Sequence, residues 1–120
     1  MKRDLDLIRK ILIKIEEAPT GACDYEIQID GYDQPVVNEH LILLVEANLI
    51  KANAIVFMDG TKQVLVNDLT WAGHDFISVS QKDSVWKIAK EKVIAPGASF
   101  TFDLLKEWLR AESAKYLGSL

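Results

Sequence analysis

Apolar residues recur with a helical period at the start of the chain. Over residues 4–17 they fall on one broad side of a helical wheel and charged residues take the other, with Ile13 as the exception. Pro19 and Gly21 follow, and both residue types end helices. The pattern predicts an amphipathic first helix with the apolar side Leu5, Leu7, Ile8, Ile11, Leu12 and Ile15.

The pattern then changes to a strand-like and back to a helical period. Residues 25–30 alternate between apolar and polar, which predicts a short half-buried strand closed by a turn. Helical spacing returns over residues 33–48, where Asp33 is placed to cap a second helix and Pro35 lies in its first turn. His40 falls in the middle of the apolar side of this helix, so we expect it to be buried and hydrogen-bonded.

A hairpin signal follows the second helix. Residues 54–58 and 63–66 are β-prone, and the intervening Asp59-Gly60 pair is one of the strongest hairpin sequences. These runs predict a two-stranded antiparallel hairpin.

The last third of the chain has helical spacing. Thr70 is placed to cap a third helix that extends to about residue 93, with a bend or break near Lys82 and Asp83. Ala95-Pro96-Gly97 is expected to end it. Ser99 or Thr101 is expected to cap a last helix that extends to about Tyr116, with Gly118 just past its end.

In this order the elements predict an α+β protein. Residues 1–69 are expected to form a winged-helix-like core of helix, short strand, helix and β-hairpin, and residues 70–120 a helical extension packed on it. The whole chain, residues 1–120, is then a single domain. A usual winged helix has two helices between the first helix and the wing, so the helix-turn-helix is incomplete here.

One segment has its own resemblance. The sequence HLILLVEANLI of residues 40–50 resembles the recognition helix and the exit into the wing of many winged-helix regulators. Asn48 stands where that pattern usually has glycine, and asparagine is the next best residue for the left-handed conformation of a helix end. We therefore expect Asn48 to adopt this conformation.

The chain as a whole resembles a family of small bacterial and prophage proteins of unknown function, the domain of unknown function 2513. The resemblance is carried by four separated segments in the same order: MKRDLDLIRKIL at 1–12, HLILLVEANLI at 40–50, LTWAGHDF at 69–76 and WKIAKEK at 86–92. It implies a phage or mobile-element setting. No established activity or catalytic residue comes with it.

Composition narrows the class of protein. The chain has 120 residues, which is the length of one domain. Its single cysteine cannot form an internal disulfide, and one cysteine with two histidines is too few for a structural zinc site. Charged residues interrupt the start of the chain, and no apolar run approaches the ~20 residues of a membrane-spanning helix. We expect a cytoplasmic protein with no membrane contact.

The charge distribution favours a protein partner. The net charge is −4, and residues 18–81 carry nine acidic residues against only Lys51 and Lys62. The outer side of the second helix offers no lysine or arginine, and its two carboxylates would repel phosphate. Its residues are therefore the predicted partner-binding set: Asn38, Glu39, Ile42, Val45 and Glu46. The partner is another protein, with a second copy of this chain as one candidate.

A DNA-binding transcriptional regulator of a phage or mobile element remains the alternative. Its phosphate contacts would come from basic residues of the first helix and the hairpin tip: Lys2, Arg3, Arg9, Lys10, Lys14 and Lys62. Asp6 stands four residues before Lys10, the spacing of a salt-bridged solvated face, which dilutes this positive strip.

Motifs of catalysis are missing from the sequence. No phosphate-binding glycine loop, dinucleotide fingerprint or nucleophile elbow occurs. His74 and Asp75 are adjacent on a helix and diverge by about 100°, which favours capping and surface roles over an acid–base pair. An enzyme that uses His74 is kept only as a residual alternative. We expect a non-enzymatic accessory protein with no catalytic residue, cofactor or metal.

Overall fold

The computed structural model describes residues 1–94 and 101–118. The helices are α1 (Leu5–Glu17), α2 (Gln34–Glu46), α3 (Trp71–Ser80), α4 (Asp83–Ala89) and α5 (Phe102–Gly118), with a π-helical turn at Lys90–Ile94. The strands are β1 (Ile50–Val56) and β2 (Lys62–Leu69). The chain divides into two compact units, Met1–His74 and Asp75–Leu120. The expected mixture of α-helix and β-hairpin is confirmed.

Helix α1 supplies much of the core of the first unit. All six residues of the predicted apolar side are buried, and Leu7, Ile11 and Leu12 are fully so. The Asp4 carboxylate accepts the backbone N–H of Leu7 at 3.1 Å and caps the helix. The predicted amphipathic helix is confirmed, including its end next to Pro19.

The strand predicted over residues 25–29 is wrong. Only Tyr25 is paired, through backbone hydrogen bonds of 2.8 and 3.2 Å to Val66 that form an isolated antiparallel bridge. The following carbonyls accept hydrogen bonds from side chains instead of from a strand. Gln34 Nε2 donates to the carbonyl of Ile27, and Lys14 Nζ donates to the carbonyl of Gln28. Ile27 is buried as the alternation requires. Its burial comes from an extended loop and not from a strand.

Helix α2 leads into the hairpin through a left-handed residue. Asn48 has φ +59°, as the resemblance to a winged-helix exit predicted. The N–H of Leu49 donates to the carbonyl of Leu44 at 2.9 Å, and the Thr70 hydroxyl donates to the carbonyl of Asn48 at 2.6 Å. These bonds satisfy carbonyls that a helix end would otherwise leave open.

Strands β1 and β2 form the predicted antiparallel hairpin. Its register pairs Ala54 with Val64 and Ile55 with Gln63, with a bulge between Lys51 and Ala52. β2 buries Val64, Val66 and Leu69, while β1 is exposed over most of its length. Because β2 also carries the Tyr25 bridge, β1 is the outer strand of the described hairpin.

Helices α3 and α5 begin just after the predicted capping residues Thr70 and Thr101, whereas Gly118, predicted to lie past the end of the last helix, is the last residue of α5. The hydroxyl of Thr70 accepts the N–H of Gly73 at 3.1 Å, and that of Thr101 accepts the N–H of Leu104 at 3.2 Å. The predicted break near Lys82 is confirmed by the gap between α3 and α4. The expected stop at Ala95-Pro96-Gly97 lies outside the described residues, as does Ser99.

Aromatic side chains fill the core of the second unit. The ring of Phe76 meets that of Trp86 edge-on at 6.2 Å and lies 4.9 Å from that of Phe102. Trp86 is buried and Trp108 half-buried, whereas Trp71, at the start of α3, is 85% exposed. The tryptophans thus divide between core and surface.

Across residues 1–94 and 101–118, no helix is both long and apolar enough to cross a membrane.

Candidate protein-interaction surface

The tip of the hairpin is a closed, internally hydrogen-bonded turn. The N–H of Phe57 donates to the carbonyl of Thr61 at 2.8 Å, and the N–H of Gly60 donates to the carbonyl of Phe57 at 2.9 Å. Gly60 has φ +88°, a conformation that suits glycine. The Asp59 carboxylate accepts both the N–H and the hydroxyl of Thr61, at 3.0 and 2.6 Å. These hydrogen bonds therefore fix the backbone conformation of the tip.

Four consecutive large apolar side chains lie exposed just before this turn. Ile55 is 40% exposed, Val56 65%, Phe57 48%, and Met58 is fully exposed. We call these four residues the hairpin patch. Isolated exposed apolar residues are normal on a protein surface, whereas four in succession, distributed over both faces of the strand end, make this tip a candidate interaction site.

The hairpin patch lies on an edge without the usual protection against pairing. Natural proteins protect edge strands with lysine, proline or bulges. Here the bulge comes at the beginning of β1, and residues 52–58 contain neither charge nor proline. The outer edge of β1 is therefore without charge after Lys51 and is continued by exposed apolar side chains.

The predicted partner-binding residues of α2 lie beside the hairpin and are partly engaged by it. Asn38 donates from Nδ2 to the carbonyl of Lys62 at 3.0 Å, and the Glu39 carboxylate lies 2.8 Å from Lys62 Nζ. Ile42 is half-buried, while Val45 and Glu46 are exposed. The polar half of this face therefore fixes the hairpin to α2. The exposed part of this face is its C-terminal end, at Val45 and Glu46.

The structure brings Lys62 together with Asn38 and Glu39. The sequence had assigned Lys62 to a phosphate-binding set and the other two residues to a protein-binding set. Asn38, Glu39 and Lys62 line one cleft of about 580 Å³ between α2 and the turn, together with Asp59. The pKa of the Asp59 carboxyl lies below its usual range because Thr61 donates two hydrogen bonds to it. Lys62 is therefore paired with the Glu39 carboxylate in a cleft that Asp59 also lines, which weakens its attraction for phosphate.

The basic residues of α1 are similarly engaged in part. Lys14 Nζ donates to the carbonyl of Gln28 at 2.6 Å, and Lys10 Nζ lies 5.4 Å from the centre of the Tyr32 ring. Lys2 and Arg3 precede the helix and are exposed. These contacts hold two of the proposed phosphate-binding lysines against the loop between α1 and α2.

His74 lines a second, more polar cleft of about 260 Å³. Glu16, Tyr25, Asn67 and Asp68 share this cleft with it. The pKa of Tyr25 is raised, first by its partial burial and second by the negative charge of Asp68. Within the described residues, no group of three histidine, cysteine, aspartate or glutamate side chains is placed to hold a metal ion.

The sequence pattern did not indicate the hairpin patch. Residues 54–58 were predicted only as a β-prone run, and the predicted partner surface lies on α2. The available signal was the lack of alternation, since a half-buried hairpin strand should show a polar residue at every second position. Residues 54–58 have none.

The fold and this surface define a small α+β protein in which a helix leads directly into an exposed apolar hairpin. The pattern of a family described as "Hypothetical protein (DUF2513)" matches residues 2–99. The chain therefore belongs to this family, and the resemblance of its four segments is confirmed.

Comparison with curated proteins gives the same picture. The chain is 30% identical over 108 residues to a protein of Haemophilus influenzae named "Uncharacterized protein", covering 89% of this chain and 91% of that one. No solved structure matches the chain.

Proposed function

We propose that the protein is a non-enzymatic accessory protein of phage or prophage type that works in the cytoplasm through protein–protein contacts, with the hairpin patch as its binding surface. The observation that carries the proposal is the exposure of four successive apolar residues, Ile55, Val56, Phe57 and Met58, at the end of the outer strand β1 and the start of the turn. Burial of such a patch by a partner removes apolar area from water, which is the main driving force of association.

A winged-helix-like arrangement of the first unit is part of the proposal. Its support is the passage from α2 through the left-handed Asn48 into the hairpin, and the bridge between Tyr25 and Val66, which stands where a third strand would pair. The part of the chain between α1 and α2 contains no helix. A scaffold of this shape without its middle helix retains the wing and presents it for contact.

Charge supports a protein partner over DNA. A DNA-binding surface needs lysine or arginine free to neutralise phosphates. On the hairpin side Lys62 is paired with Glu39, and Lys51 is the other basic residue of the two strands. The regulator remains a second candidate because Lys2 and Arg3 are exposed at the start of the chain.

Site-specific photo-cross-linking in cells tests the proposal. A photoreactive amino acid placed at Met58 should give discrete covalent adducts with protein, because this side chain is fully exposed in the patch. The same amino acid at Glu17, exposed on α1, is the matched control and should give none. The adducts should disappear when Val56→Asp is added. Equal labelling at both positions, or adducts with nucleic acid at Met58, would overturn the proposal.

A further inference from the structure

The register of the hairpin fixes which residues of β1 form backbone hydrogen bonds to β2. The N–H of Phe57 donates to the carbonyl of Thr61, so these two residues form a hydrogen-bonded pair. In an antiparallel ladder, hydrogen-bonded pairs alternate with pairs that make no bond to each other. Because the same register continues along β1, Ile55 and Asn53 also direct their backbone groups to β2.

The residues between them direct their backbone N–H and C=O groups away from β2: Ala52, Ala54 and Val56. Two contacts of β2 agree with this assignment. The carbonyl of Lys62, opposite Val56, accepts a hydrogen bond from Asn38 Nδ2 at 3.0 Å. Val66, opposite Ala52, exchanges both of its backbone hydrogen bonds with Tyr25.

The outer edge of β1 therefore carries a regular row of backbone donors and acceptors. Within residues 1–94 and 101–118, β1 pairs with no strand other than β2. The outward groups repeat every second residue, about 7 Å apart, which is the spacing of another extended backbone. The side chains of Ala52 and Ala54 are small, and residues 52–58 contain no charge and no proline to prevent pairing.

We propose that an extended segment of a partner protein adds to the outer edge of β1 as a further strand of the sheet. The segment hydrogen-bonds to the backbone of Ala52, Ala54 and Val56, and its side chains contact the hairpin patch. This inference rests on the function proposed above and names the form in which the partner binds.

Charge indicates the class of partner. Residues 18–81, which include the whole hairpin, carry nine acidic residues against two lysines. A second copy of the chain would bring the same excess of negative charge to the edge, and like charges oppose association. A neutral or basic segment of a different protein is complementary to this surface.

Proline substitution distinguishes the two sets of residues in β1. Ala54→Pro removes an outward N–H and no bond of the hairpin, and proline is tolerated at such edge positions, so the protein should keep its circular dichroism spectrum. Asn53→Pro removes a bond to β2 and should lower the melting temperature clearly more. Ala54→Ser keeps the outward N–H and is the matched control.

A library of random heptapeptides displayed on phage provides the probe for binding. Selection on the purified full-length protein should enrich peptides with more basic than acidic residues. A selected peptide should bind the wild type and Ala54→Ser equally, and bind Ala54→Pro on the order of tenfold or more weakly, because a main-chain hydrogen bond is lost. Equal binding to Ala54→Pro, or no selected peptide, would overturn strand addition.

Amide hydrogen exchange measured by NMR locates the bound peptide. In the free protein the amides of Ala54 and Val56 should exchange faster than those of Asn53 and Ile55. The peptide should slow exchange at Ala54 and Val56, since these N–H groups then donate to it. Slowing confined to residues outside β1 would overturn the proposal. A dimer of the free protein that Ala54→Pro abolishes would show that a second copy occupies the edge, and would overturn the different partner.

Cross-linking from Met58 separates this inference from the proposed function. Protein adducts that persist in Ala54→Pro overturn strand addition and leave the protein-interaction module standing. Adducts that are lost in Ala54→Pro and kept in Ala54→Ser support both. A wild type that yields neither adducts nor selected peptides overturns both.

Discussion

The backbone N–H of Asp4 donates to Nε2 of His40 at 2.9 Å, and so ties the start of α1 to the middle of α2. The other ring nitrogen, Nδ1, lies 2.8 Å from the carbonyl oxygen of Val36, which makes Nδ1 the nitrogen that carries the proton. His40 has no exposed surface. The expectation of a buried, hydrogen-bonded histidine is confirmed, and its role is to join two helices.

Replacing His40 tests this role. His40→Ala leaves a cavity and removes the acceptor for the Asp4 N–H, and we expect it to lower the free energy of unfolding by about 2–4 kcal/mol. In His40→Gln the side-chain oxygen can still reach that N–H, so the loss should be about half as large. Urea unfolding of the three proteins measures both values. A change below about 0.5 kcal/mol for His40→Ala, the size of an ordinary surface substitution, would contradict the structure.

Gly73 in α3 is required because of a close approach to the loop before β1. A Cβ atom built at Gly73 would overlap the carbonyl oxygen of Leu49. Helix propensity alone would make Gly73→Ala stabilising by about 1 kcal/mol, whereas the overlap should make it destabilising by about 2 kcal/mol or more. The sign of the change in thermal unfolding separates the two. Ala72→Gly in the same helix is the control and should cost about 1 kcal/mol through propensity.

The turn at the hairpin tip should respond to acid below the usual range of aspartate. Hydrogen bonds from Thr61 hold the pKa of Asp59 below its ordinary value of 3.8. The unfolded chain therefore takes up this proton more readily, so the stabilising contribution is present above pH 3.8 and is lost as the pH falls through the folded-state pKa.

NMR titration of the Thr61 amide measures this directly. Its chemical shift should change with a midpoint below 3.8, and the change should be absent in Asp59→Asn. A midpoint at or above 3.8 would show that the hydrogen bonds to Thr61 do not form in solution.

The ion pair between Glu39 and Lys62 should contribute little to stability. Its side chains are 42% and 38% exposed, so water screens the attraction. A double-mutant cycle with Glu39→Gln and Lys62→Gln should give a coupling of about 0.2–1 kcal/mol. A coupling above about 2 kcal/mol would mean that the pair is buried, in conflict with the structure.

Local sequence signals predicted the regular elements well. The period of α1, the Asp59-Gly60 turn and the hydroxyls of Thr70 and Thr101 act through neighbours a few residues away, so sequence alone identifies them. Asn48 was predicted in the same way, from the conformation that a helix end requires.

Tertiary contacts explain what sequence did not predict. The alternation at residues 25–29 suggested a strand, but carbonyls there accept hydrogen bonds from Gln34 and Lys14, which are distant in sequence. In the same way, Glu39 and Lys62 were assigned to different functions because nothing in the sequence shows that they form an ion pair.

Binding to duplex DNA tests most directly whether this protein acts through protein or nucleic acid. Fluorescence polarisation with a labelled mixed-sequence duplex would be measured between about 50 mM and about 200 mM salt. We expect weak binding at most, unchanged by Lys62→Gln, because Lys62 is already paired with Glu39. Tight binding that falls steeply with salt, and that weakens further when Lys2, Arg3 and Lys62 are replaced by glutamine, would contradict the protein-interaction account.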